Sequence, residues 1–282
     1  MPAAPRLASM PMVLCTLGDL VLDVIVRPEQ PLVPGDDVPA ATQVGAGGQA
    51  ANVAAWGVAL GAQARFVGHR GADAPGGLVA AELARHGVEA LGPVGGRTGV
   101  IVSVVGVDRD RSMASDRGSA TELTAEMLER RWFAGADWLH VSGYMLARET
   151  GARASAQAAR LARAASAKVS LDAASSTLIR TVGPAVFRER VTQIAPDVVF
   201  GTEPEFAALA TLPLTAALVV KRGAKGCQIL TNGDPLELPA MPAVAVDATG
   251  AGDAFAAGYL VGGPQLALAA GARCVSKPGA MP

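Results

Sequence analysis

The sequence predicts an α/β fold in which a mostly parallel central sheet is covered by helices on both faces, a three-layer α/β/α sandwich. Apolar β-prone runs alternate along the chain with alanine-rich helical stretches, which is the pattern of a parallel sheet packed on both sides. The chain has 282 residues. A chain of this length buries roughly three quarters of its unfolded surface when it folds around one core. We therefore expect a single domain spanning residues 1–282.

Hydrophobic pattern and residue type locate the main elements. Strands are predicted at residues 13–17, 64–67, 138–141, 168–172, 198–200 and 217–221. Helices are predicted at residues 49–60, 77–86, 125–130, 155–165, 204–210 and 251–261.

One apolar run has to be tested as a membrane span, because residues 254–272 carry no charge. Gly262, Gly263 and Pro264 interrupt the run, and alanine and glycine are only weakly apolar. We expect a buried helix pair and no membrane partner.

Two stretches, 24–44 and 97–117, interrupt the alternation of strands and helices. Each has two short β-prone pieces joined by a polar or Gly/Pro turn, at residues 34–37 and 108–111. Residues 1–11 contain prolines and no apolar run of the length that a secretory signal needs, which predicts a disordered tail.

The composition of the chain limits the classes of binding partner that are expected. The formal net charge is −1 and the basic residues are scattered, so no electrostatic surface for nucleic acid or an anionic membrane is expected. The cysteines Cys15, Cys227 and Cys274 are odd in number and far apart, which favours buried thiols in a reducing cytoplasm. With three histidines in the chain, a histidine-based metal centre is not expected. The partner is expected to be a small molecule.

The segment DATGAGD at residues 247–253 carries the strongest chemical signal. A glycine-rich loop before a helix directs several backbone N–H groups and the positive end of the helix dipole to one point, where a phosphate can bind. The carboxylate of Asp253 would repel that anion, but it could take a proton from a hydroxyl group. The pattern favours phosphoryl transfer. An Asp253 that only caps the helix is the alternative.

This segment resembles the C-terminal signature of the ribokinase family (the PfkB carbohydrate kinases), with Ala248 in place of the usual threonine. The segment GAGGQAAN at residues 45–52 resembles the second signature of that family, G-G-x-x-x-N. The resemblance covers nearly the whole chain. It implies a ribokinase-like fold with a small β-sheet lid over the sugar site, formed by residues 24–44 and 97–117. Ordinary surface hairpins are the alternative for these two stretches.

The resemblance implies a catalytic role for Asp253, with an anion hole built from Gly250, Ala251 and Gly252. It also implies that Thr249 lies at the nucleotide. The first residue of the signature, Asp247, lies where many relatives are activated by a monovalent cation, so potassium dependence is a hypothesis.

At the acceptor end, Asp23 matches the aspartate that holds sugar hydroxyls in relatives, although Asp19 could be the contact instead. Gly47, Gly48 and Asn52 would complete the sugar site. An asparagine in the first turns of a helix is mildly unfavourable, which suggests a role for Asn52.

Arg117 occupies the lid, where an arginine of some relatives pairs with the carboxylate of 2-keto-3-deoxygluconate. Bidentate pairing of a guanidinium with a carboxylate would suit that role. Arg117 could instead bridge to an acidic neighbour.

At the nucleotide end, the family usually shows N-x-x-E, and this chain has Thr202 and Glu205 at the two positions. Glu205 is expected to order Mg²⁺ through water, because magnesium keeps most of its waters. Glu203 is a possible substitute. A helix with Thr202 as its N-cap and an early proline satisfies the same residues.

Lys221 and Gly223 match a strand end that lies against the nucleotide in relatives. Lys221, where many relatives carry threonine, could neutralise phosphate charge during transfer. It could also be a solvated strand end.

The resulting prediction is a cytoplasmic kinase that transfers the γ-phosphoryl group of ATP to a hydroxymethyl oxygen of a sugar. A nucleoside kinase on the same fold is the alternative, although no aromatic residue lies between Leu20 and Gln49 to form a base-stacking shelf. A sugar sensor without catalysis is a further alternative. A homodimer through the lid is an expectation from the family.

Overall fold

The computed structural model describes residues 11–106, 111–210, 217–231 and 233–282. The strands are β1 (Val13–Leu17), β2 (Val21–Pro28), β3 (Ala40–Gly47), β4 (Gln63–Val67), β5 (Glu89–Leu91), β6 (Thr98–Val105), β7 (Arg111–Gly118), β8 (Trp138–Ser142), β9 (Lys168–Asp172), β10 (Val198–Thr202), β11 (Ala217–Lys221), β12 (Cys227–Leu230) and β13 (Leu236–Leu238). The helices are α1 (Gln49–Ala59), α2 (Ala74–Arg85), α3 (Glu149–Ala164), α4 (Ser176–Val182), α5 (Pro184–Ile194), α6 (Glu203–Leu209), α7 (Ala251–Gly262) and α8 (Pro264–Val275).

The large sheet is nine-stranded, in the order β13-β12-β11-β10-β9-β8-β1-β4-β5. Its strands are parallel from β11 to β5, and only the hairpin of β12 and β13 introduces antiparallel pairs at one edge. All the strands predicted from the sequence belong to this sheet. The prediction of a mostly parallel central sheet is confirmed.

A second sheet is four-stranded, in the order β3-β2-β6-β7. It is built from the two stretches that interrupt the sequence pattern, as the prediction of a small β-sheet requires. Strands β2 and β6 pair in parallel, and β3 and β7 flank them in antiparallel pairs. Residues 1–10 of the predicted tail and residues 108–110 of the predicted turn lie outside the described residues.

Side chains alternate across the large sheet, and this alternation decides which ones can reach the candidate site. Leu139, Val141, Val169 and Leu171 point to one face, where α3, α4, α5 and α6 close an alanine-rich core. The opposite face packs against α1, α7 and α8. The alternate positions of β8, β9 and β11 therefore face α1 and α7, and they include polar residues at the carboxyl ends of the strands.

The apolar run at residues 254–272 forms a helix pair, as predicted. Helix α7 ends at Gly262 and α8 begins at Pro264, with Gly263 between them at a φ of 83°. Most of the small residues of α7 are buried, from Ala254 to Gly258. Within the described part of the chain, no helix is long and apolar enough to cross a membrane. Cys15, Cys227 and Cys274 are free and buried, which confirms their expected structural role.

The predicted helix at 125–130 is wrong. The segment holds short 3₁₀ turns at Ala125–Met127 and Arg130–Phe133, and Leu128 between them is extended. Trp132 and Phe133 are buried in the core, and their anchoring overrides the local helical preference. Helix α2 begins earlier than predicted because the Asp73 side chain accepts a hydrogen bond from the Gly76 amide and caps it.

The close contact between α7 and α8 generates a stability prediction. A Cβ at Gly258 would lie 2.6 Å from the Leu266 carbonyl oxygen and 2.7 Å from the Ala267 Cα. Because the backbone atoms of α8 cannot move away from a new methyl group without strain, Gly258→Ala is expected to lower the free energy of unfolding by about 1–3 kcal/mol. Urea denaturation followed by circular dichroism measures this.

Gly77→Ala is the matched control, because a Cβ there meets no atom within 4 Å. It removes a helical glycine and is expected to be neutral or to stabilise by up to about 1 kcal/mol. Equal unfolding midpoints for the two variants would contradict the packing of α7 on α8.

Candidate active site

Helix α7 begins at the DATGAGD segment, as predicted. Gly250 is its N-cap, with a left-handed φ of 76°. A Cβ at Gly250 would lie 2.7 Å from the Cα of Ala280, so the C-terminal segment packs closely against this loop. Both features require glycine at this position.

Some backbone amides of this turn already donate hydrogen bonds within the protein. The Ala251 amide donates to the Ala248 carbonyl at 3.3 Å, and the Asp253 amide donates to the Gly250 carbonyl at 3.0 Å. Among the residues that the structure describes, the Gly252 amide makes no backbone hydrogen bond of this kind. This amide is therefore able to donate to an anion at the helix N-terminus.

Asp253 faces α1, where Asn52 holds it. The Asn52 side-chain amide donates to Asp253 Oδ2 at 2.8 Å, across a sequence separation of about 200 residues. Asn52 is buried, and α1 packs closely on α7. The asparagine that is unfavourable in a helix therefore has a partner, which is the predicted proton acceptor.

Burial raises the pKa of Asp253 to about 8, against the lowering effect of the Asn52 hydrogen bond. The charges of Asp172 and Asp19 raise this pKa further, and the ammonium of Lys221 lowers it. A carboxylate with a pKa near neutrality is suited to exchange a proton with a substrate at physiological pH.

Lys221 lies under the same loop. Its Nζ donates to Asp172 Oδ2 at 2.5 Å, and a Cβ on Gly252 would lie 3.1 Å from this Nζ. The side chains of Lys221 and Asp172 are 14% and 2% exposed. Lys221 is therefore a nearly buried charge beside the loop of residues 247–253, which is called the anion loop after its predicted role. The structure does not show the alternative, a solvated strand end.

Burial alone would lower the pKa of Lys221, but Asp172, Glu205 and Asp253 together raise it. Asp172 was missed from the sequence. The available signal was its place at the carboxyl end of a predicted strand, because the carboxyl ends of parallel strands meet at the ligand-binding edge of the sheet.

Thr202 and Glu205 form a capping box at the start of α6. Glu205 Oε2 accepts a hydrogen bond from the Thr202 amide at 2.7 Å, and Glu205 is buried. Thr202 therefore caps α6, one carboxylate oxygen of Glu205 is used in the capping box, and the charge of Glu205 acts on Lys221. Glu203 is exposed and pairs with Arg222 at 2.9 Å, away from this cluster.

A cavity of about 530 Å³ opens beside Lys221. Gly223, Gly252 and Phe255 line it, and residues of the 240–251 segment and of α8, many of them alanine, form most of its wall. Its apolar wall and its charged end at Lys221 fit a flat base and a phosphate chain.

The residues that were predicted to bind the phosphoryl acceptor lie in two different parts of the structure. Gly47 lies against the Asp23 carboxylate, since a Cβ at Gly47 would be 2.0 Å from Asp23 Oδ2. Asp23 lines a cavity of about 130 Å³ together with Gln43, Glu82 and His86. Gly48, at a φ of 106°, lets the Asp19 carbonyl approach, because a Cβ there would be 2.3 Å from this oxygen.

Asp19 is buried and belongs to the environment of Asp253. It pairs with Arg117 and accepts a hydrogen bond from Ser142 at 3.4 Å. The Arg117 guanidinium lies 3.4 Å from the centroid of the Tyr144 ring. Arg117 therefore bridges to an acidic neighbour, as one of the two alternatives held, and that neighbour lies in the loop between β1 and β2.

A cavity of about 950 Å³ lies between strand β7 and the segments that follow β8 and β9. Arg97, Arg117 and Arg148 contribute guanidinium groups to its wall, and Tyr144 and Ser175 contribute hydroxyls. The charges of Lys221, which lines the apolar cavity, and of Asp19, the partner of Arg117, both act on Asp253.

Asp247 and Thr249 stabilise the loop itself. Asp247 Oδ1 accepts from the Thr249 amide at 2.9 Å and from the Thr249 hydroxyl at 2.6 Å. Within the described ranges no cluster of three or more histidine, cysteine, aspartate or glutamate residues is arranged to hold a metal ion.

Comparisons with known proteins identify the family of this chain and agree with its fold. The model of the pfkB family carbohydrate kinases matches residues 13–280. The chain is 30% identical over 225 residues to an ATP-dependent ribose-1-phosphate kinase from Halopiger xanaduensis, covering 76% of this chain and 72% of that protein. It is 28% identical to a fructokinase from Klebsiella pneumoniae in an alignment of 301 residues that covers 94% of each chain. The solved structure of an adenosine kinase from Sinorhizobium meliloti has a TM-score of 0.84 at 24% identity and covers 97% of this chain and 96% of its own.

The burial of Asp253 predicts a pH-dependent stability difference. An unfolded aspartate ionises near pH 4, whereas Asp253 in the folded state ionises at about pH 8. Between these values the unfolded chain loses the proton and the folded chain keeps it, so the wild type loses stability as pH rises. The stability advantage of Asp253→Asn is therefore expected to widen from about pH 4 to about pH 8 and to stay constant above that.

Urea denaturation of both proteins across this pH range measures the difference. Glu189→Gln, which neutralises an exposed carboxylate on α5, is the control and is expected to differ from the wild type by a constant amount. A constant difference for Asp253→Asn as well would contradict the raised pKa.

Proposed function

Because this chain belongs to the pfkB family of carbohydrate kinases, we propose that it transfers the γ-phosphoryl group of ATP to a hydroxymethyl oxygen of a small carbohydrate, with Asp253 as the base. The observation that carries the proposal is the position of Asp253. Its carboxylate lies in the first turn of α7, at the end of the glycine-rich loop of residues 247–253, and the ammonium of Lys221, which lines the apolar cavity, acts on its charge.

The chemistry is an in-line displacement. The acceptor oxygen forms a bond to the γ-phosphorus while the bond from this phosphorus to the bridging oxygen of ADP breaks, and the acceptor proton passes to Asp253. Proton transfer to a positioned base contributes about 10²- to 10⁴-fold in rate. Asn52 orients the base through the bond to Oδ2, which leaves Oδ1 to receive the proton.

The charge on the transferred group would be held by the N-terminus of α7 and by Lys221. The Gly252 amide and the helix dipole act from the loop, and the Lys221 ammonium lies next to Gly252. Asp172 fixes Lys221 at this point through the 2.5 Å ion pair. These groups are in place before the reaction, so no reorganisation is needed as charge develops.

Magnesium fits the residues at the nucleotide end. Glu205 keeps one carboxylate oxygen for a metal-bound water, and magnesium is commonly held by one or two carboxylates, several waters and substrate phosphates. When bound, the ion would neutralise charge on the ATP phosphates. Thr202, where the family has asparagine, donates its amide to Glu205 and so orients this carboxylate.

The small sheet acts as a lid in this proposal. Strand β7 carries Arg117 at the acceptor cavity, and closure of the sheet over the acceptor would exclude water that could otherwise accept the phosphoryl group. The homodimer through the lid stays a prediction.

An anionic acceptor is the variant of this function that the cavity favours. Three arginines, Arg97, Arg117 and Arg148, line the larger cavity together with the carboxylates of Asp116 and Glu122. Arg97 pairs with Asp116 and Arg117 pairs with Asp19, but each guanidinium has further N–H donors that can bind a carboxylate or phosphate. The relative from Halopiger xanaduensis is named for a phosphorylated acceptor, ribose 1-phosphate. A nucleoside acceptor is less favoured, because Arg117 already covers the Tyr144 ring on which a base could stack.

ADP release from ATP and Mg²⁺ tests the proposal for wild type and Asp253→Asn. The acceptor panel is ribose, fructose, ribose 1-phosphate, 2-keto-3-deoxygluconate, adenosine, inosine and pseudouridine. One acceptor is expected to stimulate wild-type turnover, and Asp253→Asn is expected to lose about 10²- to 10⁴-fold of it. Glu189→Gln is the control for loss of a carboxylate and is expected to match the wild type.

Arg117→Met separates the acceptor classes. With an anionic acceptor it should raise KM by about tenfold or more, because a charge-assisted hydrogen bond to the substrate is lost. With a neutral sugar KM should change little. If no acceptor stimulates turnover, and a compound raises the melting temperature equally in wild type and Asp253→Asn, the catalytic proposal is wrong and a binding protein is favoured.

A further inference from the structure

The carboxylate of Asp247, at the start of the anion loop, has protein partners on both oxygens. Oδ1 accepts from the Thr249 amide and hydroxyl. Oδ2 accepts from the Gly279 amide at 3.2 Å and from Arg27 Nη2 at 3.4 Å. Asp247 is mostly buried, with a side-chain exposure of 11%. Its hydrogen-bonding needs are therefore met within the chain.

Three carbonyl oxygens, one in this loop and two in the C-terminal segment, also accept hydrogen bonds from protein donors. The Thr249 carbonyl accepts from the Cys274 thiol at 3.3 Å, and the Ala280 carbonyl accepts from Trp56 Nε1 at 2.8 Å. The Met281 carbonyl accepts from the Lys277 ammonium. A monovalent cation binds by exchanging its hydration shell for oxygen atoms of this type. Each of these carbonyl oxygens accepts a hydrogen bond from a protein donor and has a second lone pair, so the charge balance at Asp247 decides whether a cation is needed.

Positive charge is supplied by the protein at this place. The Arg27 guanidinium reaches Asp247 from β2 of the small sheet, and its side chain is 36% exposed. Arg27 and Asp247 are 220 residues apart in the sequence, so the ion pair depends on the fold. A guanidinium here does for the carboxylate what a bound cation would do, since it balances the charge and fixes the orientation.

We propose that Arg27 takes the place of a monovalent cation at Asp247, so that the activity of this protein does not depend on potassium. Arg27 is a positioning residue, because it acts on the anion loop through Asp247 and touches no reacting group. With Arg27 in place, Asp247 does not fit the potassium site that the family resemblance implies, because the guanidinium already balances the charge of this carboxylate. Since β2 belongs to the small sheet, the ion pair also links the position of that sheet to the anion loop.

The test compares wild type, Arg27→Ala and Arg27→Lys in potassium chloride and in tetramethylammonium chloride at equal ionic strength. Equal ionic strength keeps charge screening the same, so wild-type kcat is expected to agree within about twofold in the two salts. Arg27→Ala is expected to lose about 10- to 100-fold of kcat in tetramethylammonium, because the loop that holds the phosphoryl group is displaced. Potassium or added guanidinium should restore part of that loss.

Arg27→Lys keeps the charge and should be independent of potassium, with a smaller loss of kcat. Arg153→Ala is the control, because it removes an arginine whose ion pair with Glu149 is exposed on α3. It should match the wild type in both salts. Rescue of Arg27→Ala by a cation is a result that a merely structural role would not produce.

Melting temperatures provide a second readout that does not need the acceptor, so they test this inference even if the proposed reaction is wrong. The wild-type melting temperature should be equal in the two salts, and that of Arg27→Ala should be higher in potassium than in tetramethylammonium. Activation of the wild type by potassium, or a potassium-dependent rise in its melting temperature, would overturn the proposal. Indifference of Arg27→Ala to potassium in both readouts would overturn it as well.

Discussion

The charge balance around Asp253 is the constraint on which the candidate site depends. The carboxylates of Asp172, Glu205 and Asp253 act on one ammonium, Lys221, in a region closed by α1 and α7. Isolated buried charges are costly, so each must be paired or neutral. Lys221 is paired with Asp172, and burial favours the neutral form of Asp253. The result is a carboxyl group that is close to its ionisation point at physiological pH.

The fold places these groups by simple rules. Asp172 and Lys221 are the last residues of β9 and β11, so the side-chain period of two turns both towards α7. Glycines allow the loop to lie close to its supports, since Gly250 touches the C-terminal segment and Gly258 touches α8. Helix α8 and the residues after it therefore stabilise the anion loop from behind, and Arg27 holds it from the small sheet.

Much of the fold could be predicted from the sequence, because the strands of a parallel sheet are apolar on both faces and are short. The strands at 13–17, 168–172 and 217–221 agree with the structure at both ends. The segment at 125–130 could not be predicted, because the burial of Trp132 and Phe133 decides its path. The pair α4 and α5 was missed because both are short and Gly183 separates them at a φ of 94°.

The residues of the candidate site also divide into those that a local sequence pattern indicates and those that it does not. Asp253, Gly250 and Asn52 were singled out because they belong to short contiguous motifs. Asp172 and the Arg27 pair with Asp247 were not predicted, since each depends on a contact between distant segments that no local pattern encodes.

We propose that Asp253 is a base whose ionisation is set by its buried neighbours, and the pH profile of kcat/KM is the measurement that bears on this role. The kcat/KM of the wild type is expected to rise with pH to a plateau, with a midpoint at about pH 8. Lys221→Met should move this midpoint to higher pH, and Asp172→Asn should move it to lower pH, because their charges act on Asp253 in opposite directions. A profile that is flat from about pH 6 to about pH 9, or a midpoint unchanged in both variants, would contradict the account.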